Sequence, residues 1–325
     1  MKICYIFRPV SRMGYSIENV FHAVAEEMNS LSHVTILYNC SGSWIKDIIN
    51  IRKIDADIYH ISGDVYFLSL LLPRNKTTAT FHDIGSVKNF KPSLRVFMIA
   101  LLFFILPSHK MKKMTCVSSL TKDDMVNYFR VNPQKITVIE NPLSLKIKYI
   151  PKEFNAVKPV ILQIGTGGHK NLTGLIEAVK DIPCHLKIIG KPSEDHIKKM
   201  ELYGIEYSVE SLLTNNQVID RYCKCDILFF ASFSEGFGLP IVEAQAIGRP
   251  VITSNIAPMP NVAGKGAAFV NPASSQDIRK ALISIITDSE NRQTLIREGL
   301  SNIERYNLTE VTRKYIGFYE SFILA

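Results

Sequence analysis

The sequence predicts an α/β fold made of two Rossmann-like, doubly wound domains. With 325 residues, the chain is about twice as long as a typical domain of roughly 150 residues. Short apolar runs alternate with amphipathic segments along both halves, and this alternation is typical of βαβ units with parallel sheets. It breaks at 144–159, a charged stretch with two prolines and no clean period. We interpret this stretch as the linker between the domains.

Residues 1–150 are assigned to the first domain because strand candidates recur there with helical patterns between them, such as 17–28 and 121–128. The helical patterns place apolar residues three and four positions apart, on one face. The strand candidates are the short apolar runs 3–7, 34–38, 58–61, 77–81, 114–117 and 136–139.

Residues 151–308 are assigned to the second domain, and 309–325 to a final helix that is expected to pack back on the first domain. The strand candidates of the second domain are 160–164, 186–189, 205–209, 227–230 and 251–253. In doubly wound sheets, ligands bind outside the carboxyl ends of the strands. The chemistry is therefore expected in the loops that follow the strands, where the two domains face a cleft.

The composition is that of a water-soluble globular protein, with 46% hydrophobic and 21% charged residues. The six cysteines form no CxxC, and Cys223 and Cys225 lack the second pair that a zinc site needs. Reduced thiols and a cytoplasmic location are therefore expected. The N-terminal MKICYIF lacks the long apolar core of a signal peptide and is predicted to be the first strand.

The net charge of +8 favours an anionic partner, such as a nucleoside diphosphate, a nucleic acid or an anionic membrane. Nucleic acid is not expected, because no helix is dense in Lys and Arg and no basic residues interleave with aromatic ones. The apolar run 96–107 is too short to cross a bilayer, which needs about 20 residues. Arg95, His109, Lys110, Lys112 and Lys113 flank it. We favour a buried helix here, and a helix on the inner membrane face is the alternative.

The stretch 234–248, SEGFGLPIVEAQAIG, follows the apolar run DILFFAS and predicts a strand, a glycine-rich turn and a helix. Gly236 and Gly238 allow backbone N–H groups to approach a ligand closely. Pro240 suits the first position of a helix, whose N-terminus offers free N–H groups to a diphosphate.

Glu235 and Glu243 flank this turn, eight residues apart, with Glu243 expected in the first turn of the helix. A carboxylate accepts two hydrogen bonds side by side, which suits the vicinal hydroxyls of a ribose or a hexose. Metal ligation is not expected, because no third ligand lies nearby. The plainer alternative is a structural turn with two surface acids.

This stretch resembles the Glu-x7-Glu signature of the retaining GT-B glycosyltransferases of family 4, also called group 1. The similarity extends to 216–227, to RPVITS at 249–254 and to APMPNVAG at 257–264, where Asn261 stands in place of the usual glutamate of the family. The resemblance covers essentially the whole chain. It implies the GT-B fold, a nucleotide-diphosphate sugar as donor, and transfer of the sugar with retention of anomeric configuration.

The segment IGTGGHKN at 164–171 ends the first strand of the second domain, and Lys170 can neutralise a diphosphate there. The resemblance assigns Lys170 to the donor phosphates. Thr166 stands where many members have an arginine, so Lys170 is expected to act alone. A lysine on an exposed helix start is the alternative. The predicted donor-binding residues are Gly14, Gly165, Thr166, Lys170, Asn171, Glu235, Gly236, Phe237, Gly238, Leu239, Pro240 and Glu243.

In the first domain, RPVSRMGYSIE at 8–18 resembles the glycine-bearing loop that faces the donor in this family. Ser16 is placed on the acceptor side, with a helix cap as its alternative, and Glu18 is expected to be exposed. His82 follows a strand and is assigned to a hydroxyl of the donor sugar. Asp83 is expected to orient His82 or to contact the acceptor. The predicted catalytic residues are His82, Lys170 and Glu235.

The implied reaction is a front-face transfer to a glycan or lipid-linked acceptor, with no cofactor and no metal, in bacterial surface polysaccharide synthesis. Contact with the inner membrane face is expected to be peripheral. Two rival functions remain open. One is a nucleotide-sugar epimerase or a phosphorylase on the same fold. The other is a glycan-binding or membrane-peripheral protein without catalysis. The departures at Thr166 and Asn261 keep this rival open, and the presence of Glu235, Lys170 and Glu243 argues against it.

Overall fold

The computed structural model describes residues 1–9, 16–88 and 90–324, and the chain divides into two compact units. The first comprises Met1–Ser144 with Tyr306–Ala325, and the second comprises Leu145–Arg305. The expected boundaries were 150 and 308. The division falls earlier at the first boundary because the linker binds the second unit. There the N–H of Ile150 donates to the carbonyl of Ile247 at 3.3 Å, and Lys152 pairs with the buried Asp226.

The first unit contains a six-stranded parallel sheet in the order β2-β1-β3-β4-β5-β6. This order places β1 between two neighbours, as in a doubly wound sheet. All six strand candidates of this half are confirmed, with ends that differ by one residue. The strands are β1 (Lys2–Phe7), β2 (Val34–Asn39), β3 (Ile58–Ile61), β4 (Thr77–Phe81), β5 (Met114–Cys116) and β6 (Ile136–Val138).

Helices cover this sheet and bury its apolar side chains, among them Ile6, Ile61, Phe81 and Met114. The α-helices are α1 (Ser16–Ser30), α2 (Trp44–Arg52), α3 (Gly85–Lys88), α4 (Leu94–Ile99), α5 (Leu106–Lys110) and α6 (Ser119–Phe129). Short 3₁₀ turns lie at Tyr66–Leu70 and Pro133–Lys135, and a π-helical turn at Ala100–Ile105 joins α4 to α5.

The second unit contains its own six-stranded parallel sheet, in the order β12-β11-β10-β7-β8-β9. The strands are β7 (Val160–Ile164), β8 (His185–Ile189), β9 (Glu206–Glu210), β10 (Ile227–Phe230), β11 (Val251–Ser254) and β12 (Ala268–Val270). The edge strand β12 was not predicted. It is three residues long, and Phe269 at its centre is 41% exposed.

The helices of the second unit include two that begin at the carboxyl edge of the sheet and organise the loops of interest, α7 and α10. They are α7 (Leu172–Val179), α8 (Glu194–Leu202), α9 (Asn215–Lys224), α10 (Leu239–Ile247), α11 (Met259–Ala263), α12 (Ser275–Thr287) and α13 (Ser289–Asn302), with 3₁₀ turns at Gly168–Lys170 and Ile303–Tyr306.

The C-terminal helix α14 (Leu308–Ile323) belongs to the first unit, where it packs against α1. A buried polar chain attaches it to the sheet. The hydroxyl of Tyr319 lies 2.8 Å from Nδ1 of His60 on β3 and 3.2 Å from the hydroxyl of Tyr5 on β1. Nε2 of His60 lies 2.8 Å from the hydroxyl of Thr80. Burial lowers the pKa of His60 to about 3, so this histidine is neutral and structural.

Candidate active site

Two loops meet at the carboxyl edge of the second sheet, because they follow the neighbouring parallel strands β7 and β10. The first loop is 165–171 and the second is 231–238. A backbone hydrogen bond of 2.8 Å from the N–H of Phe233 to the carbonyl of His169 joins them. The residues predicted to bind the donor in the second domain lie in these loops and at the start of α10.

The first loop is held by groups that the sequence analysis did not single out. Gln163, buried on β7, donates through Nε2 to the carbonyls of Gly165 (2.9 Å) and Lys170 (3.1 Å). Gly165 has a φ of +85°, and a Cβ there would come within 3.1 Å of the Lys170 side chain. A side chain at Gly165 would therefore displace the lysine. The Thr166 hydroxyl donates to the carbonyl of Lys191 at 2.8 Å and is directed away from the loop centre.

Asn171 ends the first loop and caps α7 while holding a left-handed φ of +59°. Its side chain is buried, and Nδ2 donates to the carbonyls of Ala231 (3.1 Å) and Pro272 (2.7 Å). Its Oδ1 accepts from the N–H of Gly174 at 3.2 Å. Because all these groups bind protein, the side chain of Asn171 joins the loops instead of presenting a group to a ligand.

The second loop turns into α10 at Gly238, whose φ of +112° is one that other residues rarely adopt. The helix begins at Leu239, so Pro240 is its second residue and not its first, as the sequence analysis expected. Phe237 and Leu239 are buried and anchor the turn. Pro240 has no N–H, and the N–H of Ile241 donates to the carbonyl of Gly238 at 3.0 Å, so the N–H of Leu239 is the one in the first turn of α10 without a partner in the helix. Together with the positive end of the helix dipole, it creates a site of positive potential for an anion.

Lys170 and Glu235 face each other across the two loops, with Nζ 2.7 Å from Oε1. Both side chains are partly buried, at 21% and 13% of their full exposure. Nζ also lies 4.7 Å above the ring of Phe230, which screens the cation from solvent on that side. The sequence analysis assigned the two residues to different parts of a donor, and the structure brings them into one ion pair.

Glu243 lies in the second turn of α10, not in the first, because Gly238 sets the helix start at Leu239. Its Oε2 accepts a hydrogen bond of 2.6 Å from the hydroxyl of Tyr222 on α9. Burial raises the pKa of Glu243 to about 7, and the hydrogen bond from Tyr222 opposes this rise. Tyr222 is fully buried. In the sequence, its position is indicated only by the resemblance of 216–227 to the family.

The raised pKa of Glu243 predicts a pH-dependent affinity for the donor nucleotide. A carboxylate accepts hydrogen bonds from a diol through both oxygens, whereas a protonated carboxyl must donate one. As the pH falls from 8 to 6 through a pKa of about 7, the ionised fraction drops about tenfold, and Kd is expected to rise by about the same factor. Calorimetric titration with a nucleoside diphosphate measures this. Glu243→Gln is the control, because in this variant the Kd changes with pH only through ionisation of the ligand and of other groups. An equally steep dependence of Kd on pH in Glu243→Gln would refute the assignment to Glu243.

At the carboxyl edge of the first sheet, Arg8 follows β1 and pairs with two carboxylates. Its Nε lies 2.7 Å from Oε1 of Glu18 on α1, and its Nη1 lies 2.8 Å from Oδ2 of Asp64 after β3. The expectation that Glu18 is merely exposed is wrong, because this carboxylate is held by Arg8 and its side chain is only 17% exposed.

His82 follows β4 at the same edge and is buried, with Nε2 2.7 Å from the carbonyl of Ser62. Because a carbonyl only accepts, Nε2 carries the proton, and Nδ1 of the neutral ring is an acceptor. Burial lowers the pKa of His82 and favours this neutral form. Asp83 does not orient His82, since its Oδ1 accepts from the N–H of Gly85 at 2.7 Å. The carbonyl of Ser62 does so instead.

Two predicted residues of the first domain are not placed by these contacts. Gly14 lies outside the described residues. Ser16 is the first residue of α1, and its side chain also lies outside the described part. Within residues 1–9, 16–88 and 90–324, no three His, Cys, Asp or Glu side chains come together as a metal site would require.

Two doubly wound units, each with polar groups at the carboxyl ends of its strands, are the architecture of GT-B glycosyltransferases. Comparison with known families agrees. The model of glycosyltransferase family 4 matches residues 32–146, and that of the group 1 glycosyl transferases matches residues 148–301. The chain belongs to the group 1, family 4 glycosyltransferases.

The most similar relatives include O-antigen chain mannosyltransferases. RfbU of Salmonella typhimurium is 28% identical over 311 residues, which are 91% of this chain and 82% of that protein. O-antigen chain mannosyltransferase B of Escherichia coli is 26% identical, over 81% of this chain and 74% of that protein. The serotype-specific mannosyltransferase WbdA of Escherichia coli is 27% identical over 71% of this chain. The match covers only 32% of the length of WbdA.

Solved structures with the same fold include HepE of Anabaena in complex with UDP and glucose. Its TM-score is 0.78 at 16% identity, with 99% of this chain and all of that chain covered. WaaG, a glycosyltransferase involved in lipopolysaccharide biosynthesis, has a TM-score of 0.71 at 13% identity, with 98% of this chain and 99% of that chain covered. At these identities the likeness shows the fold alone.

Proposed function

We propose that the chain is a retaining glycosyltransferase that moves a sugar from a nucleotide-diphosphate sugar to a glycan or lipid-linked acceptor. The observation that carries this proposal is the position of Lys170. Its ammonium lies 2.7 Å from Glu235, in a loop joined by a hydrogen bond to the loop that leads into the N-terminus of α10. A cation and a helix N-terminus together suit a diphosphate, and a carboxylate beside them suits a sugar hydroxyl.

Each part of the donor is assigned to one group. The diphosphate binds Lys170, the N–H of Leu239 and the positive end of the α10 dipole. Glu235 accepts a hydrogen bond from a hydroxyl of the transferred sugar, which replaces part of its contact with Lys170. Glu243, held by Tyr222, accepts from the vicinal hydroxyls of the ribose. In this arrangement the two glutamates bind hydroxyls and the lysine binds phosphate, so no carboxylate is placed against the negative diphosphate.

The reaction we propose breaks the bond from the anomeric carbon to the phosphate oxygen and forms a bond to the acceptor oxygen on the same face. The acceptor proton passes to the departing diphosphate. Lys170 and the N-terminus of α10 stabilise the charge that develops on that diphosphate, so we expect no metal to be needed. His82 accepts a hydrogen bond from a sugar hydroxyl through Nδ1, and Asp83 contacts the acceptor.

Mannose is proposed as the transferred sugar, because two relatives that this chain covers to 74% and 82% of their length are O-antigen chain mannosyltransferases. The acceptor is then a surface-polysaccharide chain or its lipid-linked precursor. We propose that the protein meets a lipid-linked acceptor at an anionic membrane surface.

A thermal-shift panel tests the donor site. The ligands are UDP, GDP, ADP and CMP with their common sugar conjugates, each with magnesium or with a chelator. A ligand at 100 times its Kd stabilises the protein by about 2.7 kcal/mol, which raises Tm by about 5–10 °C in a unit of this size. We expect one diphosphate series to stabilise the wild type equally in both buffers, and to have little effect on Lys170→Ala.

The contrary outcomes are distinct. A panel without any shift would leave only the fold and would favour the rival of a non-catalytic glycan-binding protein. A shift that appears only with magnesium would contradict metal independence. Conversion of a donor in the absence of any acceptor to an isomeric sugar nucleotide would favour the epimerase.

A further inference from the structure

The helical segment from Leu94 to Lys110 exposes an apolar face. The five residues of this apolar face are spaced three, one, four and four positions apart, and between 37% and 78% of each is exposed: Leu94, Phe97, Met98, Leu102 and Leu106. The solvent side of a surface helix is normally polar. A contiguous exposed apolar patch instead marks a surface that another body covers.

The opposite face of the same segment is packed in the core of the first unit, so the segment is not loosely attached. Phe104 stacks on Phe129 with ring centroids 5.0 Å apart, and Ala100 and Pro107 are buried. Phe103 contacts Phe67 edge-to-face at 5.3 Å. The expectation of a buried helix is therefore correct for one face and wrong for the other.

The stretch of sequence that contains this face is strongly basic. Residues 74–113 contain eight Lys or Arg residues and a single acid, Asp83, which gives a formal charge of +7 in 40 residues. The whole chain has +8. A basic surface around an apolar face is complementary to the anionic head groups and apolar interior of a bilayer.

Some of these basic side chains are available to a ligand and others are not. Lys110 donates to the carbonyls of Leu70 (2.7 Å) and Leu72 (2.9 Å), and Lys113 donates to that of Ser321 (2.8 Å). Lys91, Arg95 and Lys112 form no hydrogen bond or ion pair within the part of the chain that the structure describes, and Lys91 and Arg95 are exposed at the start of the segment. They are the candidates for contacts with head groups.

We propose that the apolar face lies in the interface of an anionic bilayer, with Lys91, Arg95 and Lys112 at the level of the head groups. The 17 residues of the segment extend about 25 Å as a helix. One face of this segment is needed by the protein core, so it lies along the membrane. No helix of the described ranges is long and apolar enough to cross a bilayer.

A second copy of the chain fits this surface less well than a membrane. A two-fold dimer would place the same patch on both partners, so the exposed Lys91 and Arg95 of the two copies would be brought towards each other. The lipid-linked acceptor at this membrane rests on the proposed function, but binding of the protein to a membrane is measurable without sugar transfer.

Co-sedimentation of the full chain with vesicles tests the docking. We expect strong binding to phosphatidylcholine vesicles that contain phosphatidylglycerol, weak binding to pure phosphatidylcholine, and loss of binding at high salt. Lys91→Glu/Arg95→Glu is expected to weaken binding by at least about 25-fold, since each basic residue contributes about fivefold near such a surface. Leu94→Ser/Phe97→Ser is expected to abolish sedimentation even at low salt.

Matched variants in the second unit provide the controls. Leu202→Ser/Leu212→Ser removes two leucines that are 78% and 64% exposed, against 78% and 56% for Leu94 and Phe97. Lys198→Glu/Lys280→Glu reverses two exposed lysines there. Both controls are expected to sediment as the wild type does. Equal losses in the controls, or equal binding to both kinds of vesicle, would overturn the proposal.

Two further measurements separate the alternatives. If light scattering shows a dimer that Leu94→Ser/Phe97→Ser dissociates, the face belongs to a second copy and the membrane proposal is wrong. The shift in Tm caused by the donor nucleotide is expected to be the same in the face variants and the wild type. Donor binding without docking therefore refutes only the membrane surface, and docking without donor binding refutes only the proposed reaction.

Discussion

Replacement of Lys170 by methionine is expected to lower kcat/KM for sugar transfer by about 10²–10³-fold. Removal of one group that stabilises developing charge in a preorganised site typically has an effect of this size. Lys170 is the cation that the two joined loops present, and Phe230 shields it from solvent. Release of the nucleoside diphosphate measures the reaction, with water as the acceptor where no sugar acceptor is at hand.

Lys187→Met is the matched control for this experiment. Lys187 lies on β8 of the same sheet, its side chain is 23% exposed against 21% for Lys170, and it also pairs with a glutamate, Glu210 at 3.4 Å. We expect this variant to retain activity within about twofold of the wild type. Comparable losses in both variants would show that Lys170 acts only through the stability of the unit.

A double variant shows whether Lys170 acts directly on the donor or only positions Glu235. If Lys170 serves only to hold the glutamate, Glu235→Gln alone would lose as much activity as Lys170→Met/Glu235→Gln. We expect the double variant to be clearly worse than Glu235→Gln, because the lysine also binds the diphosphate. Equal rates would make Lys170 a positioning residue.

Replacement of Arg249 by methionine is expected to lower the free energy of unfolding of the second unit by about 3–5 kcal/mol. Arg249 is 3% exposed, and it donates to carbonyls from three segments of the chain. These carbonyls are those of Tyr222, Cys223, Ile150, Ile247 and Gly248, at 2.8–3.2 Å. Hydrogen bonds to a charged group each contribute about 1.5–3 kcal/mol, and the abandoned carbonyls would stay buried.

Urea unfolding measures this loss, and two further variants give it a scale. Arg249→Lys keeps the charge but has a single nitrogen, so we expect an intermediate loss. Arg297→Met on α13 removes an exposed arginine with one hydrogen bond of 3.4 Å, to Thr294, and is expected to change stability by less than about 0.5 kcal/mol. If Arg249→Met lowered the free energy of unfolding as little as Arg297→Met, the stabilising role of the Arg249 hydrogen bonds would be refuted.

The alternation of apolar runs and amphipathic segments predicted eleven strands of the two sheets, because burial on both faces of a parallel strand leaves a continuous apolar signal in the sequence. The twelfth, the edge strand β12, was not predicted. The predicted linker begins at 144, but the first domain was expected to extend to 150, whereas the first unit ends at Ser144. The charged stretch resembles a free linker, and its attachment depends on Asp226 and Arg249, more than 70 residues away.

The site shows the same limit. Glycine at 165 and 238 and the proline at 240 are local signals for a turn before a helix, and the turn is present. The exact start of α10 is decided by the φ of Gly238, which shifts Glu243 into the second turn. Tyr222, which holds Glu243, carries no motif of its own, since a buried tyrosine resembles any core residue.

The sequence by itself determined the two doubly wound units, the glycine-rich turn and the family, because periodicity and turn chemistry depend on neighbouring residues. Only the tertiary structure decided that Lys170 and Glu235, 65 residues apart, form one ion pair. It also decided that one face of the segment from Leu94 to Lys110 is buried and the other exposed. Distances between remote side chains and the burial of each face depend on how the elements pack, and no local pattern encodes that.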